Sequence, residues 1–120
     1  MIRSREQFRM KEIRDGNGGC CLALIGELDL AVADQFSARL RDLAGDGVVV
    51  RLDLAGLEFI DSSGIRELLA AISAARRDGR RLEIGSDLTS QVRRLFELVG
   101  AGPYVWPECA AHRADGRSVS

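Results

Sequence analysis

Hydrophobic and polar residues alternate along this chain with strand and helix periods in turn. The residues from Phe8 to Ile13 alternate weakly, and Cys20 to Ile25 is a continuous apolar run of strand length. The turn-forming residues from Asp15 to Gly19 separate these two segments. We therefore predict an antiparallel hairpin over residues 8–25, whose second strand is buried on both faces.

Three later segments have the apolar spacing of amphipathic helices. Their stripes are Val32, Phe36, Leu40 and Leu43; Ile65, Leu68, Leu69 and Ile72; and Val92, Leu95, Phe96 and Val99. Each stripe is followed by a glycine (Gly45, Gly79 and Gly100), which predicts where each helix ends.

Shorter strand-like segments lie between these helices. Val48–Leu54 starts apolar and then alternates, Arg81–Gly85 is a short strand, and Phe59 and Ile60 are assigned to a loop. Strands that alternate with helices after a hairpin indicate an α/β fold. We expect a mixed β-sheet of about four to five strands with helices packed on it.

The end of the chain is less regular. Tyr104–Trp106 predicts a last short strand, and Pro107 is expected to open a helix that runs to about Ala114. Residues 115–120 are polar and are expected to form a short tail. A length of 120 residues fits a single domain, which we place at residues 1–114.

Composition excludes several classes of function. Apolar residues make up 46% of the chain, and the net charge is −1, which argues against nucleic-acid and membrane partners. Three cysteines do not make a disulfide framework. A metal site built from Cys20, Cys21, Cys109 and His112 is disfavoured, because adjacent residues of a strand point to opposite faces. We expect a soluble, cytoplasmic protein without metal or cofactor.

The junction from Leu54 to Ile65 carries the most chemical information. A strand ends there and a helix begins near Asp61, a residue type whose carboxylate accepts the free amide protons of a first helical turn. The same free amides and the helix dipole favour a phosphate. Two interpretations therefore stand at this point: ordinary helix capping, or a serine that accepts a phosphate.

The residues of this junction resemble those of a known family. The string Asp53-Leu54, followed by Phe59-Ile60-Asp61-Ser62-Ser63-Gly64-Ile65, is similar to the signature of STAS domains, especially bacterial anti-sigma factor antagonists. The upstream Gly26-Glu27-Leu28-Asp29 matches a second element of that family, in the right order. The resemblance covers residues 8–114 and implies the STAS fold.

The resemblance also implies a function and its residues. Ser63 corresponds to the phosphorylated residue, with Ser62 as the alternative acceptor. The implied partner-binding residues are Asp29, Asp61, Ser62, Ser63, Gly64 and Arg66. The implied partners are an anti-sigma factor that is also a serine kinase with a GHKL-type fold, and a PP2C-type phosphatase. Arg66 is included because it is the cation close to Ser63 in the sequence, placed to screen the phosphate or contact the partner; the alternative interpretation is a solvated helix residue.

Other functions compete with this one. A STAS accessory or scaffold protein, in a stress-signalling complex or associated with a transporter, would use a different partner. A homodimer through an exposed strand edge is also open. An enzyme with Ser63 or Asp61 as nucleophile is disfavoured, since the only histidine, His112, lies near the end of the chain. We therefore expect no catalytic residue.

Overall fold

A computed structural model describes residues 7–107 of the chain. The elements in chain order are β1 (Arg9–Arg14), β2 (Gly19–Leu28), α1 (Leu30–Gly45), β3 (Val49–Ile60), α2 (Ser62–Arg77), β4 (Leu82–Ile84), α3 (Ser90–Val99) and α4 (Gly102–Val105). Within these residues the sheet has four strands in the order β1-β2-β3-β4. The predicted α/β class and mixed sheet are confirmed.

The hairpin predicted at the start of the chain is present. β1 pairs antiparallel with β2, and Arg14 lies opposite Cys20. The next two pairs, β2 with β3 and β3 with β4, are parallel, and helices connect their strands. This topology brings the carboxyl ends of β2 and β3 to the same edge of the sheet.

The core lies on one face of the sheet. In β2 every second residue is buried, and the in-register residues of β3 are buried with it, as in the pairs Cys20 with Val50 and Leu22 with Leu52. Phe36, Leu68 and Phe96 pack into the same cluster from the three long helices. The prediction that Cys20–Ile25 is buried on both faces is wrong: the described helices pack on one face of β2, and the side chains of its other face stay half-exposed.

The residues of the predicted helix stripes are buried or half-buried against the core, with one exception. Val99 is 52% exposed, although its spacing placed it on the apolar stripe of α3. This helix contacts β3 and buries only Val92 and Phe96, and its last turn from Glu97 onward is exposed.

Two local predictions are corrected. Phe59 and Ile60 belong to β3 and not to a loop, because the ladder with β2 continues to Leu28 opposite Ile60. Tyr104–Trp106 is not a strand: Gly102–Val105 is a helical turn with proline near its start, where a missing amide is tolerated.

α4 is fastened to the rest of the domain by aromatic side chains. Trp106 donates from Nε1 to the carbonyl of Ile84 at 3.0 Å and contacts the Phe96 ring edge-on. The hydroxyl groups of Tyr104 and of Ser73 in α2 form a hydrogen bond with each other. The helix predicted from Pro107 to Ala114, the tail at 115–120, Cys109 and His112 lie wholly or largely outside the described residues.

Candidate functional site

The candidate site is the edge of the sheet where β2 and β3 end and α1 and α2 begin. In parallel sheets, ligands and partners characteristically meet the molecule outside the carboxyl ends of the strands. Each of the two strand-to-helix junctions ends in an aspartate, Asp29 before α1 and Asp61 before α2. The two sequence motifs that carry the family resemblance therefore lie next to each other.

Asp29 caps α1 in the usual way. Its backbone is extended, and its Oδ1 atom accepts a hydrogen bond from the amide of Ala31 at 3.0 Å. The cap satisfies one of the free amides of the first turn, and its negative charge complements the helix dipole. Asp29 is half-buried, whereas the next residue, Leu30, is 73% exposed.

Asp61 caps α2 and also reaches the start of α1. Its Oδ1 atom accepts from the amide of Gly64 at 3.1 Å, which confirms the predicted cap. Its Oδ2 atom accepts from the amide of Leu30 at 3.3 Å, and its own amide donates to the carbonyl of Leu28. One carboxylate thus ties the N-termini of both helices together. The sequence did not indicate this second bond, because Leu30 and Asp61 are far apart in the chain.

Gly64 lies where no side chain fits. A Cβ atom built on it would be 2.8 Å from the carbonyl oxygen of Leu28 and 2.8 Å from the Ile60 side chain. The first turn of α2 therefore packs directly on the ends of β2 and β3. This close approach fixes the position of the serines that precede it, and the glycine in the motif was its only signal in the sequence.

Gly26 shapes the other junction. Its φ is +94°, a backbone conformation that residues other than glycine rarely adopt. The register of the β2–β3 pairing shifts between Gly26 and Glu27. Bulges of this kind redirect the end of a strand. The Gly-Glu-Leu-Asp element thus positions Asp29 at the sheet edge through a backbone irregularity that only its glycine suggests.

The two serines differ in exposure. Ser62 is exposed and Ser63 is half-buried in the first turn of α2. Over residues 7–107, neither hydroxyl has a hydrogen-bond partner, so both are available for chemistry. Arg66 is exposed one turn further along α2 and makes no ion pair within the same residues. Phe59, 39% exposed, and Leu30 add apolar surface at this edge.

The cysteine pair lies away from this edge. Cys20 is buried and Cys21 is half-exposed on the opposite face of β2, as predicted for adjacent strand residues. Burial raises the pKa of the Cys20 thiol. Within the part of the chain that the structure describes, no group of three His, Cys, Asp or Glu side chains is placed to hold a metal ion.

Comparison with known proteins identifies the family. A family model described as "Mlab, STAS domain" matches residues 14–104. The chain belongs to the STAS domain family. The observed fold agrees with this assignment, which the junction residues together with the upstream Gly-Glu-Leu-Asp element led us to expect.

Individual relatives are more distant. The anti-sigma-B factor antagonist of Bacillus subtilis (strain 168) is 22% identical over 89 residues, which cover 74% of this chain and 81% of the relative. An anti-sigma factor antagonist from Mycobacterium paratuberculosis has a TM-score of 0.63 at 18% identity and covers 86% of each chain.

The antagonist SpoIIAA has been solved in two forms with this fold. The unphosphorylated form has a TM-score of 0.60 at 21% identity, covering 74% of this chain and 82% of SpoIIAA. The phosphorylated form from Bacillus has a TM-score of 0.61 at 22% identity, covering 79% and 86%. Both forms therefore match this chain equally well.

Proposed function

We propose that this STAS domain is an anti-sigma factor antagonist of a partner-switching module. The unphosphorylated protein binds an anti-sigma factor that is also a serine kinase with a GHKL-type fold, and this binding releases a sigma factor. Phosphorylation of Ser63 ends the complex, and a PP2C-type phosphatase restores it. The observation that carries the proposal is Ser63, which is half-buried beside the Asp61 cap and whose hydroxyl has no hydrogen-bond partner among residues 7–107. The protein is then a substrate and a binding module, not an enzyme.

A phosphate at Ser63 is compatible with the fold. It adds about −1.5 to −2 charges at neutral pH. Near the N-terminus of α2 a negative charge is favourable by roughly 0.3–1 kcal/mol. The equal fold match to the two forms of SpoIIAA supports the same view. Phosphorylation is therefore expected to leave the domain folded.

The same phosphate is unfavourable inside an interface. Asp29 and Asp61 already place two carboxylates at this edge, and a bound partner that covers the edge excludes water from it. Burying an uncompensated dianion there costs several kcal/mol by order of magnitude, which outweighs the gain at the helix terminus. The switch then acts by repulsion at the interface and not by unfolding.

The remaining residues of the proposed surface have supporting roles. Gly64 holds the serines against the sheet edge, and Arg66 offers an exposed cation to the partner or to the phosphate. Ser62, more exposed than Ser63, is the alternative acceptor. We place the domain at residues 1–114 with a tail at 115–120, and the protein in the cytoplasm. None of the described helices is both long and apolar enough to cross a membrane.

The proposal is tested by phosphorylation with candidate anti-sigma kinases and ATP, followed by mass spectrometry. We expect phosphate on Ser63, its loss in Ser63→Ala, and no kinase binding by Ser63→Asp. Ser62→Ala is the matched control and should be phosphorylated normally. Phosphate on Ser62 alone would keep the mechanism and move the site by one residue.

A second function follows from the family description. The matching model is described as Mlab and not as an antagonist. A STAS accessory or scaffold protein, in a stress-signalling complex or associated with a transporter, uses the same edge for a different partner. No phosphate transfer by any kinase, together with stable binding to another protein that Leu30→Glu abolishes, would favour this function.

A further inference from the structure

A groove lies between α1 and α2 and runs from Ser37 and Glu67 to the C-terminal ends of both helices. Its volume is about 550 Å³, within the range of small-molecule sites. Its floor is aliphatic and comes from both helices and from the starts of β3 and β4: Leu40, Val50, Ala71, Ala74 and Leu82. The small alanines leave the space between the helices open.

Four arginines surround this groove. Arg41 comes from α1, Arg77 ends α2, and Arg80 and Arg81 lie in the connection to β4. The acidic residues of the lining are Glu67 and Asp78. The lining therefore carries a net charge of 4 − 2 = +2, whereas the whole chain carries −1.

The arginines are only weakly engaged with protein acids. The Arg77 side chain has no ion pair or hydrogen bond within residues 7–107. Arg80 contacts Asp78 at 3.2 Å and Arg81 contacts Glu83 at 2.7 Å, and both arrangements are surface pairs of low energy. A ligand anion can therefore exchange with these carboxylates at little cost.

Helix stabilisation accounts for only one of the four arginines. Arg77 lies in the last turn of α2, where a cation complements the helix dipole. Arg41 precedes the last turn of α1, and Arg80 and Arg81 lie beyond α2. Their convergence on one opening comes from the fold and not from the needs of a single helix.

The lining selects a class of ligand. Among the described residues that line the groove there is no aromatic side chain on which a nucleobase could stack. Aliphatic floor residues suit an alkyl chain, and guanidinium groups bind carboxylate and phosphate through paired hydrogen bonds. We propose that the α1–α2 groove binds an amphipathic anion, whose alkyl chain lies on the aliphatic floor and whose carboxylate or phosphate head contacts the arginines.

The test is calorimetric titration of the full chain with decanoate and with decyl phosphate, below their micelle concentrations. Decanol and inorganic phosphate each lack one half of the proposed ligand. We expect saturable one-to-one binding of at least one of the two anions. Decanol should bind at least about tenfold more weakly, because it lacks the charge-assisted bonds to the arginines. Equal binding of decanol, or no saturable binding of either anion, would overturn the proposal.

Variants locate the site. Ala74→Leu places a larger side chain on the floor of the groove and should abolish binding of the alkyl anions. Leucine is a good helix former, so circular dichroism and the melting temperature should show that the fold is kept. The double variant Arg77→Gln/Arg80→Gln should reduce anion binding to the decanol level. Arg93→Gln/Arg94→Gln on α3, outside the groove, is the matched control. Anion binding that survives both groove variants would place the ligand elsewhere and refute the assignment.

The groove is independent of the proposed phosphorylation. On α2 the lining begins at Glu67, one turn after Ser63, and it includes neither Ser62 nor Ser63. Ser63→Ala should therefore bind the alkyl anions as the natural sequence does. A failure of the ligand test leaves the kinase experiment unaffected, and the reverse also holds.

Discussion

The two strand-to-helix junctions at the functional edge look alike in sequence and differ in construction. Both end a parallel strand with an aspartate that caps the following helix. At the first junction the cap has one local bond, and the next residue, Leu30, faces solvent. At the second junction, the Asp61 carboxylate accepts hydrogen bonds from backbone amides of both α1 and α2, and there is no space for a side chain at Gly64. Within the described residues, the Asp61 carboxylate therefore makes a tertiary bond in addition to its local cap, whereas the Asp29 carboxylate makes only the local bond.

The largest expected change in stability comes from Gly64, where the structure leaves no space for a side chain. Alanine has a higher helix propensity than glycine, but its Cβ atom would collide with the Leu28 carbonyl. Overpacking of this kind costs about 1–3 kcal/mol, so we expect Gly64→Ala to lower the free energy of unfolding by that amount. Urea denaturation measures it.

Gly45, at the end of α1, is the matched control for that substitution. No atom lies within 4 Å of a Cβ built on it, and its φ is not positive. Gly45→Ala should therefore be neutral or stabilise the protein by up to about 1 kcal/mol. Equal destabilisation by both substitutions would contradict the steric argument.

The second prediction compares the two caps. Asp29→Ala should cost about 0.5–1 kcal/mol, as expected for the loss of a simple N-cap. Asp61→Ala should cost about 0.5–1.5 kcal/mol more, because it also removes the bond to the Leu30 amide. Thermal and urea unfolding of the two variants measure the difference. Identical losses would show that the bond between the junctions contributes nothing.

The third prediction separates folding from binding at Ser63. Ser63→Asp places a negative charge in the first turn of α2, where the helix dipole favours it. We expect the free energy of unfolding to change by less than about 1 kcal/mol, while binding to the kinase partner is lost. A variant that unfolds as it loses binding would replace the repulsion mechanism with a folding mechanism.

The smallest expected effect on stability concerns an ion pair between the middle of α1 and β1. Arg39 of α1 binds the Glu12 carboxylate of β1 through Nε at 3.0 Å and Nη2 at 2.7 Å. These hydrogen bonds hold the pKa of Glu12 below its usual value. A lowered carboxyl pKa stabilises the fold above the pKa of the unfolded state, and the contribution disappears as pH falls through the folded-state pKa.

Glu12→Gln should therefore lower stability slightly at neutral pH and flatten the fall in melting temperature between about pH 5 and pH 3. Glu97→Gln, on the exposed last turn of α3, is the matched control and should leave the acid limb unchanged. If the melting temperature falls equally steeply below pH 5 in Glu12→Gln and in the natural sequence, the ion pair has no net effect on stability.

The sequence by itself determined the order and type of the main elements. The helical stripes at Phe36, Leu68 and Phe96 and the strand-length run at Cys20 are local patterns, and periodicity indicates them without knowledge of the fold. Periodicity gave wrong predictions where the structure of a segment depends on residues far away in the chain. Phe59 and Ile60 became strand because β2 continues beside them, and half of β2 stays uncovered because the helices pack on one face.

The candidate site divides in the same way. The Asp61 cap and the serine motif beside it follow from the residues themselves, since capping is a bond between near neighbours. The bond from Asp61 to Leu30, the lack of space at Gly64 and the convergence of arginines on the α1–α2 groove required the tertiary structure. Each of these joins residues far apart in the chain, and only the packing of two parallel strands and their helices brings them together.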